Sequence, residues 1–360
     1  MLFATFYLKI GVGMKLLPIK FSYVNISKHI YSPDFLNLAN IHNEKINFDE
    51  KTKFLSTATK NKLNQEKIEN NNESVYVYSY NGKYGVVADL DISEYKKGNI
   101  KCHELVLPDI VQGMIANYQI YNTETAPVFI VHKEEIDLKQ FTQEVKYNKF
   151  YDFGNIKLFQ YTGQKAKLLL NKYKQIKSMF IADGHHRLYA TSMSKNKKTM
   201  LASLMSLSQV DILPIHRVLN NIDASTFEKA KSFIDKMFEI SNDTNLSKGK
   251  VNVTYQNESF VVKLKDMYED LFWNNDIYRL NTQIISTAFR ILDFSKCETV
   301  FQSDLETRKR NLSKNDVLFE LFPVSADEFI EISNNNCILP PKATCFEPKF
   351  PSFLILKKYC

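Results

Sequence analysis

No CxxC pair occurs among the five cysteines, Cys102, Cys297, Cys337, Cys345 and Cys360. An odd, scattered set of this kind points to thiols in a reducing compartment rather than to a disulfide framework. No stretch reaches transmembrane length either. The apolar N-terminal extension, residues 1–13, carries Lys9 in its middle and lacks a basic beginning, so it makes a poor signal peptide and is too short to span a bilayer. Met14 is a second candidate start. A cytoplasmic protein with no membrane partner is expected. There is no long basic run: the formal net charge of +7 comes from dispersed lysines, in a chain rich in Lys, Asn and Ile throughout. Nucleic acid is therefore not expected as the partner. Internal repeats and a Gly-rich Walker loop are also absent.

What remains is ordinary in bulk. At 360 residues, with 44% hydrophobic and 24% charged residues, the chain has room for two domains and a sizeable core. The informative stretch is Ser178 to Ala190. The apolar run Met179–Ala182 reads as a buried strand, and Leu188, Ala190 and Met193 continue in a helical pattern. Asp183-Gly184 is then a tight strand-to-helix corner, with glycine permitting a positive φ or a close backbone approach. A helix start carries unsatisfied N–H groups and a partial positive charge, which together favour anions. His185, His186 and Arg187 add donors that suit phosphate oxygens. The plainer alternative is a helix capped by Asp183 with its histidines on the surface.

Around this corner the spacing predicts a hairpin at Asn81-Gly82 between Val75–Tyr78 and Tyr84–Val87. A polar, helix-compatible segment precedes it, from about Asp49 to Asn70. A helix is expected from Pro108, since proline is tolerated in a first turn, followed by strands near Pro127–Val131, Asn155–Phe159 and Met200–Ser206. Leu213–Val218 reads as extended. Beyond Asn220 come an amphipathic helix over Ser225–Ile240, two strands around Asn257, a helical stretch over Leu280–Leu292 and a strand at Val317–Phe322. The end, Leu339–Lys349, is proline-rich and unsuited to a helix. These signals place a domain boundary near residue 220, giving domains over 14–220 and 221–360. The hairpin, the strand ending at Ala182 and the strand before Pro214 are expected in the first domain.

Unusual side chains concentrate in four places: Lys101–Glu104, Asp183–Arg187, His216-Arg217 and Lys342–Lys349. Each has a bland explanation, such as a surface turn, a salt-bridged anchor or a rigid loop. Together they offer carboxylates, imidazoles and cations. A metal site built from His103, Glu104, His185 and His216 is a further option.

The order IKCHE, IADGHHR, LPIHR and LPPKATCFEPK resembles the bacterial family termed domain of unknown function ten-fifteen, from about Gly82 to the C-terminus. That resemblance implies a mixed α/β fold related to the ParB/sulfiredoxin superfamily, with a C-terminal α+β region. The superfamily places a similar Gly-His-Arg corner around nucleotide phosphates and includes free serine kinases. It implies a nucleotide-dependent phosphoryl-transfer enzyme using ATP or ADP with Mg2+ on a small hydroxyl substrate such as serine. On this reading Gly184, His185 and His186 bind phosphate and Arg187 stabilises the transferring charge. Glu104 is the base, and Asp183 is a Mg2+ ligand or the alternative base. His216, Arg217 and Lys342 complete the anion site. The alternatives are a phosphatase of phosphoserine-like substrates and a ParB-like, nucleotide-gated DNA-binding module.

Overall fold

The computed structural model of the protein describes residues 13–243, 245–267, 271–335, 337–340 and 342–359. Residues 1–12 of the apolar extension and Pro341 lie outside the described residues. The fold is mixed α/β. It divides into two compact units: the described residues up to Lys101 with Val106–Val210 and Pro348 onward, and Cys102–Leu105 with Asp211–Glu347.

The first unit is built on a nine-stranded sheet. Its path runs Lys149–Asp152, Ile156–Thr162, Ser74–Tyr80, Lys83–Asp91, Thr199–Ser206, Val128–His132, Met179–Asp183 and Ile100–Lys101, with Leu16–Leu17 added to Lys83–Asp91. The hairpin turns at Asn81 and Gly82, whose φ values of 50° and 83° are the positive pair such a turn needs. Val128–His132 is buried at every position, which explains why it reads as an unbroken apolar run rather than an alternating one. It pairs in parallel with Thr199–Ser206 and antiparallel with Met179–Asp183.

A smaller five-stranded sheet in the same unit sets the C-terminal strand Ile355–Lys358 between Ser22–Asn25 and Thr123–Glu124. This return is tied by charge. Buried Lys357 pairs with Asp89 at 2.6 Å and lies 3.7 Å from Glu124, which also binds buried Lys197. Removing one member of such a cluster would strand a buried charge.

His132 ends the central strand with its Nδ1 on the Glu134 carbonyl at 2.8 Å and its ring edge-on to Tyr173. Burial pushes its pKa down to about 4. The unfolded chain therefore takes up a proton near pH 6.5 that the folded chain refuses until about pH 4. Stability should fall by roughly 3 kcal/mol as pH drops through that window. Urea denaturation at pH 7 and pH 4.5 checks this, with His132→Leu expected to lose that part of the pH dependence.

The second unit is organised on a six-stranded antiparallel sheet ordered Glu239–Ser241, Glu258–Lys263, Lys250–Tyr255, Val317–Leu321, Ile215–Leu219, Cys297–Phe301. The helix Ala224–Met237 is capped by Asp223, which accepts from the Thr226 N–H, and buries Phe227, Ala230 and Ile234. Phe227 stacks on Tyr255. The stretch expected to form one helix over Leu280–Leu292 instead forms a π-helix at Leu280–Ser286, which continues directly from a short α-helix at Asp276–Arg279.

Two expectations about domains are revised. The division falls at Val210/Asp211 rather than at 220, because Asp211–Leu213 pairs with Cys345–Glu347 and Ile215–Leu219 joins the second sheet. The last residues do not stay with the C-terminal unit, because Ile355–Lys358 is a strand of the first.

Candidate phosphate site at the Asp183–Arg187 corner

Met179–Asp183 runs directly into the helix His185–Met193 through Gly184. Pairing with Val128–His132 shifts register between Phe129 and Ile130, so Asp183 lies opposite Phe129 and Ile181 opposite Ile130. A bulge of this kind re-aims the residue at the strand end. Gly184 is the N-cap, with φ 94° and ψ 28°, and no side chain caps this helix. The capping role considered for Asp183 is therefore not adopted.

Glycine is required here twice over. The left-handed conformation disfavours any side chain, and a Cβ would stand 2.8 Å from Val128 Cγ1 and 2.9 Å from Arg187 Nη2. Gly184→Ala should cost about 2–5 kcal/mol, the left-handed penalty plus the crowding. Equilibrium denaturation is the check.

Arg187 turns its fork inward. Its Nη1 donates to the carbonyls of Ala126 at 2.7 Å and Pro127 at 3.1 Å, and its Nη2 to Asp183 Oδ2 at 2.9 Å. Only 8% of the residue is exposed. A guanidinium with three donors fixed to its own scaffold organises the corner, which differs from the charge-stabilising role expected of it. Lys349 approaches from the C-terminal stretch, with its ammonium 3.2 Å from Asp183 Oδ1. Burial alone would raise the Asp183 pKa, but Arg187 and Lys349 outweigh it and hold the carboxyl below its ordinary value.

Asp183 is thus ionised, with a cation on each oxygen. It does not fit the role of Mg2+ ligand, and a carboxylate so stabilised makes a poor base. Among the described residues, no three His, Cys, Asp or Glu side chains gather closely enough to hold a metal ion.

His185 is buried, and His186 is half-buried with its Nε2 accepting the Leu107 N–H at 3.1 Å. That places the imidazole against the N-cap of the helix Pro108–Ile120, which has no side-chain cap of its own. The two helices are also joined through Tyr118, whose hydroxyl donates to the Arg187 carbonyl.

The other candidates belong to the second unit. Glu104 Oε1 accepts the Lys342 N–H at 3.0 Å, while Arg217 Nη2 donates to the Lys342 carbonyl at 2.9 Å. The two thereby grip both ends of a residue held at φ 59°. His216 lies inside the sheet, where Nδ1 accepts the Leu321 N–H and Nε2 faces Gln302 Oε1 at 2.8 Å. Burial lowers its pKa, and both ring nitrogens meet partners of the protein itself, an arrangement that differs from the anion-binding role expected of it. His103 bonds Thr344 and packs edge-on against Phe329. Lys349 ends the Lys342–Lys349 stretch that the sequence singles out, but no role at the corner is assigned to it there; the structure pairs it with Asp183.

The fold is mixed α/β, and its strand-to-helix junction at Gly184 opens a helix that no side chain caps. The chain belongs to the family described as protein of unknown function (DUF1015), whose model matches residues 28–295. No curated protein matches it in sequence. Among solved structures it is similar to SbnI with C-terminal truncation from Staphylococcus aureus, at 12% identity and TM-score 0.45, covering 74% of this chain and 85% of that one. A mutant free serine kinase in complex with ADP is similar at 12% identity and TM-score 0.42, covering 72% and 87%. A conserved hypothetical protein from Pyrococcus furiosus is similar at 13% identity and TM-score 0.38, covering 74% and 93%. No helix among the described residues is long and apolar enough to cross a membrane.

Proposed function

We propose that the protein is a ParB-like, nucleotide-dependent phosphotransferase acting on a small hydroxyl substrate such as serine, with phosphate bound at the Asp183–Arg187 corner. The observation that carries this reading is the Gly184 N-cap. It opens the helix without a capping side chain, so the first N–H groups can face a ligand.

On this reading Gly184, His185 and His186 hold phosphate oxygens through main chain and imidazole. Lys349 supplies a positive charge beside them, and Asp183 and Arg187 fix the geometry. A bound ATP or ADP supplies the phosphoryl group. Mg2+ would neutralise phosphate charge on the nucleotide, and Asp183, already paired with Arg187 and Lys349, would not be its ligand. Glu104 keeps the role of base for the substrate hydroxyl.

The test is an assay for phosphoserine formed from serine with ATP or ADP and Mg2+. Phosphoserine formation supports the reading. Phosphate release from phosphoserine without any nucleotide would establish the phosphatase instead. Nucleotide binding that drives DNA binding without turnover would establish a gated DNA-binding module.

A further inference from the structure

Within the second unit lies a cavity of about 500 Å³, walled by Phe272 and Tyr278, with Asn281, Thr282, Arg217 and Lys342 also on its lining. That volume is in the range of small-molecule sites, which combine apolar walls with a few placed polar groups. The rings of Phe272 and Tyr278 pack at 4.8 Å between centroids, tilted 49° to one another, and offer an apolar wall.

Two unusual backbone geometries meet here. Asn281 and Thr282 lie in the π-helix Leu280–Ser286, a rare conformation frequently found at functional sites. Lys342 is left-handed at φ 59°, and Glu104 and Arg217 hold its peptide in that state. Strain that surrounding bonds enforce at one cavity is the pattern of a ligand site. Arg217, 4% exposed and bonded to the carbonyls of Ile215, His216 and Lys342, brings a second positive charge to the same wall.

We propose that this cavity binds a small aromatic compound bearing one anionic group, its ring against Phe272 and Tyr278 and its anion met by the Lys342 ammonium, with the buried Arg217 charge behind the same wall. The inference is independent of the phosphate corner in the first unit. A carboxylate and a phosphate monoester share this chemistry, and the experiment separates them.

The probe is 8-anilinonaphthalene-1-sulfonate, titrated by fluorescence into the full chain. One saturable site per chain is expected, displaced by 1-naphthoate or 1-naphthyl phosphate and not by 1-naphthol. The stronger competitor identifies the anion. Lys342→Gly removes the ammonium while glycine accepts the positive φ and keeps the main-chain hydrogen bonds, donated to Glu104 and accepted from Arg217. It should weaken binding about tenfold or more, the worth of one charged hydrogen bond. Asn281→Phe should fill the cavity and abolish binding.

The proposal is overturned by no saturable binding, by more than one site per chain, or by equal displacement with 1-naphthol. Unchanged affinity in Lys342→Gly overturns it too, as does a loss in Lys349→Met that Lys342→Gly does not share. Should Lys342→Gly fail to fold by circular dichroism, Asn281→Phe decides: retained binding ends the proposal.

Discussion

Arg187→Ala should remove about 3–5 kcal/mol of folding stability, the range for breaking a buried charge pair. The substitution leaves the Ala126 and Pro127 carbonyls without their guanidinium donor. It also takes one of two cations from Asp183. Arg187→Lys should recover only part of this. A single ammonium cannot reproduce a planar fork that reaches two carbonyls and a carboxylate at once. Urea denaturation of both variants, read as midpoint and slope, gives the values. A loss below about 1 kcal/mol in Arg187→Ala, the range of an exposed ion pair, would show that the fork is not what holds the corner.

Glu104→Gln separates a structural role from a chemical one. Glutamine keeps a carbonyl oxygen able to accept the Lys342 N–H that Glu104 accepts at 3.0 Å, so stability should change by no more than about 0.5 kcal/mol. The amide cannot take a proton from a substrate hydroxyl. Turnover should therefore fall by about 10²–10⁴-fold, the usual contribution of a positioned base. The measurement is kcat for phosphoserine formation beside thermal denaturation of the same variant. Loss of stability with turnover intact would confine Glu104 to pinning the Lys342 turn.

The parts of this structure that were legible in the sequence are those decided locally. Asn81-Gly82 specifies its hairpin because both residues tolerate positive φ. The Asp183-Gly184 corner follows from an apolar run ending at an acid and a glycine. What was not legible depends on distant partners. Lys349 meets Asp183 across 166 positions, and nothing local in either stretch names the other. The pairing of Asp211–Leu213 with Cys345–Glu347 moved the domain division for the same reason.

Charge type also concealed role. Arg187, His216 and Arg217 have the donors of an anion site, yet their bonds go to the protein's own carbonyls, amides and carboxylate. The π-helix at Leu280–Ser286 was masked because its apolar spacing fits an ordinary helix equally well.

The central claim is that phosphate binds at the start of the helix His185–Met193. Titrating ADP, with and without Mg2+, into the 15N-labelled full chain while following the backbone amides of Gly184, His185 and His186 addresses it directly. The account predicts saturable shifts at these three amides, weakened about tenfold or more in Lys349→Met. Amides that stay unmoved while ADP binds elsewhere, or no ADP binding at all, would contradict it.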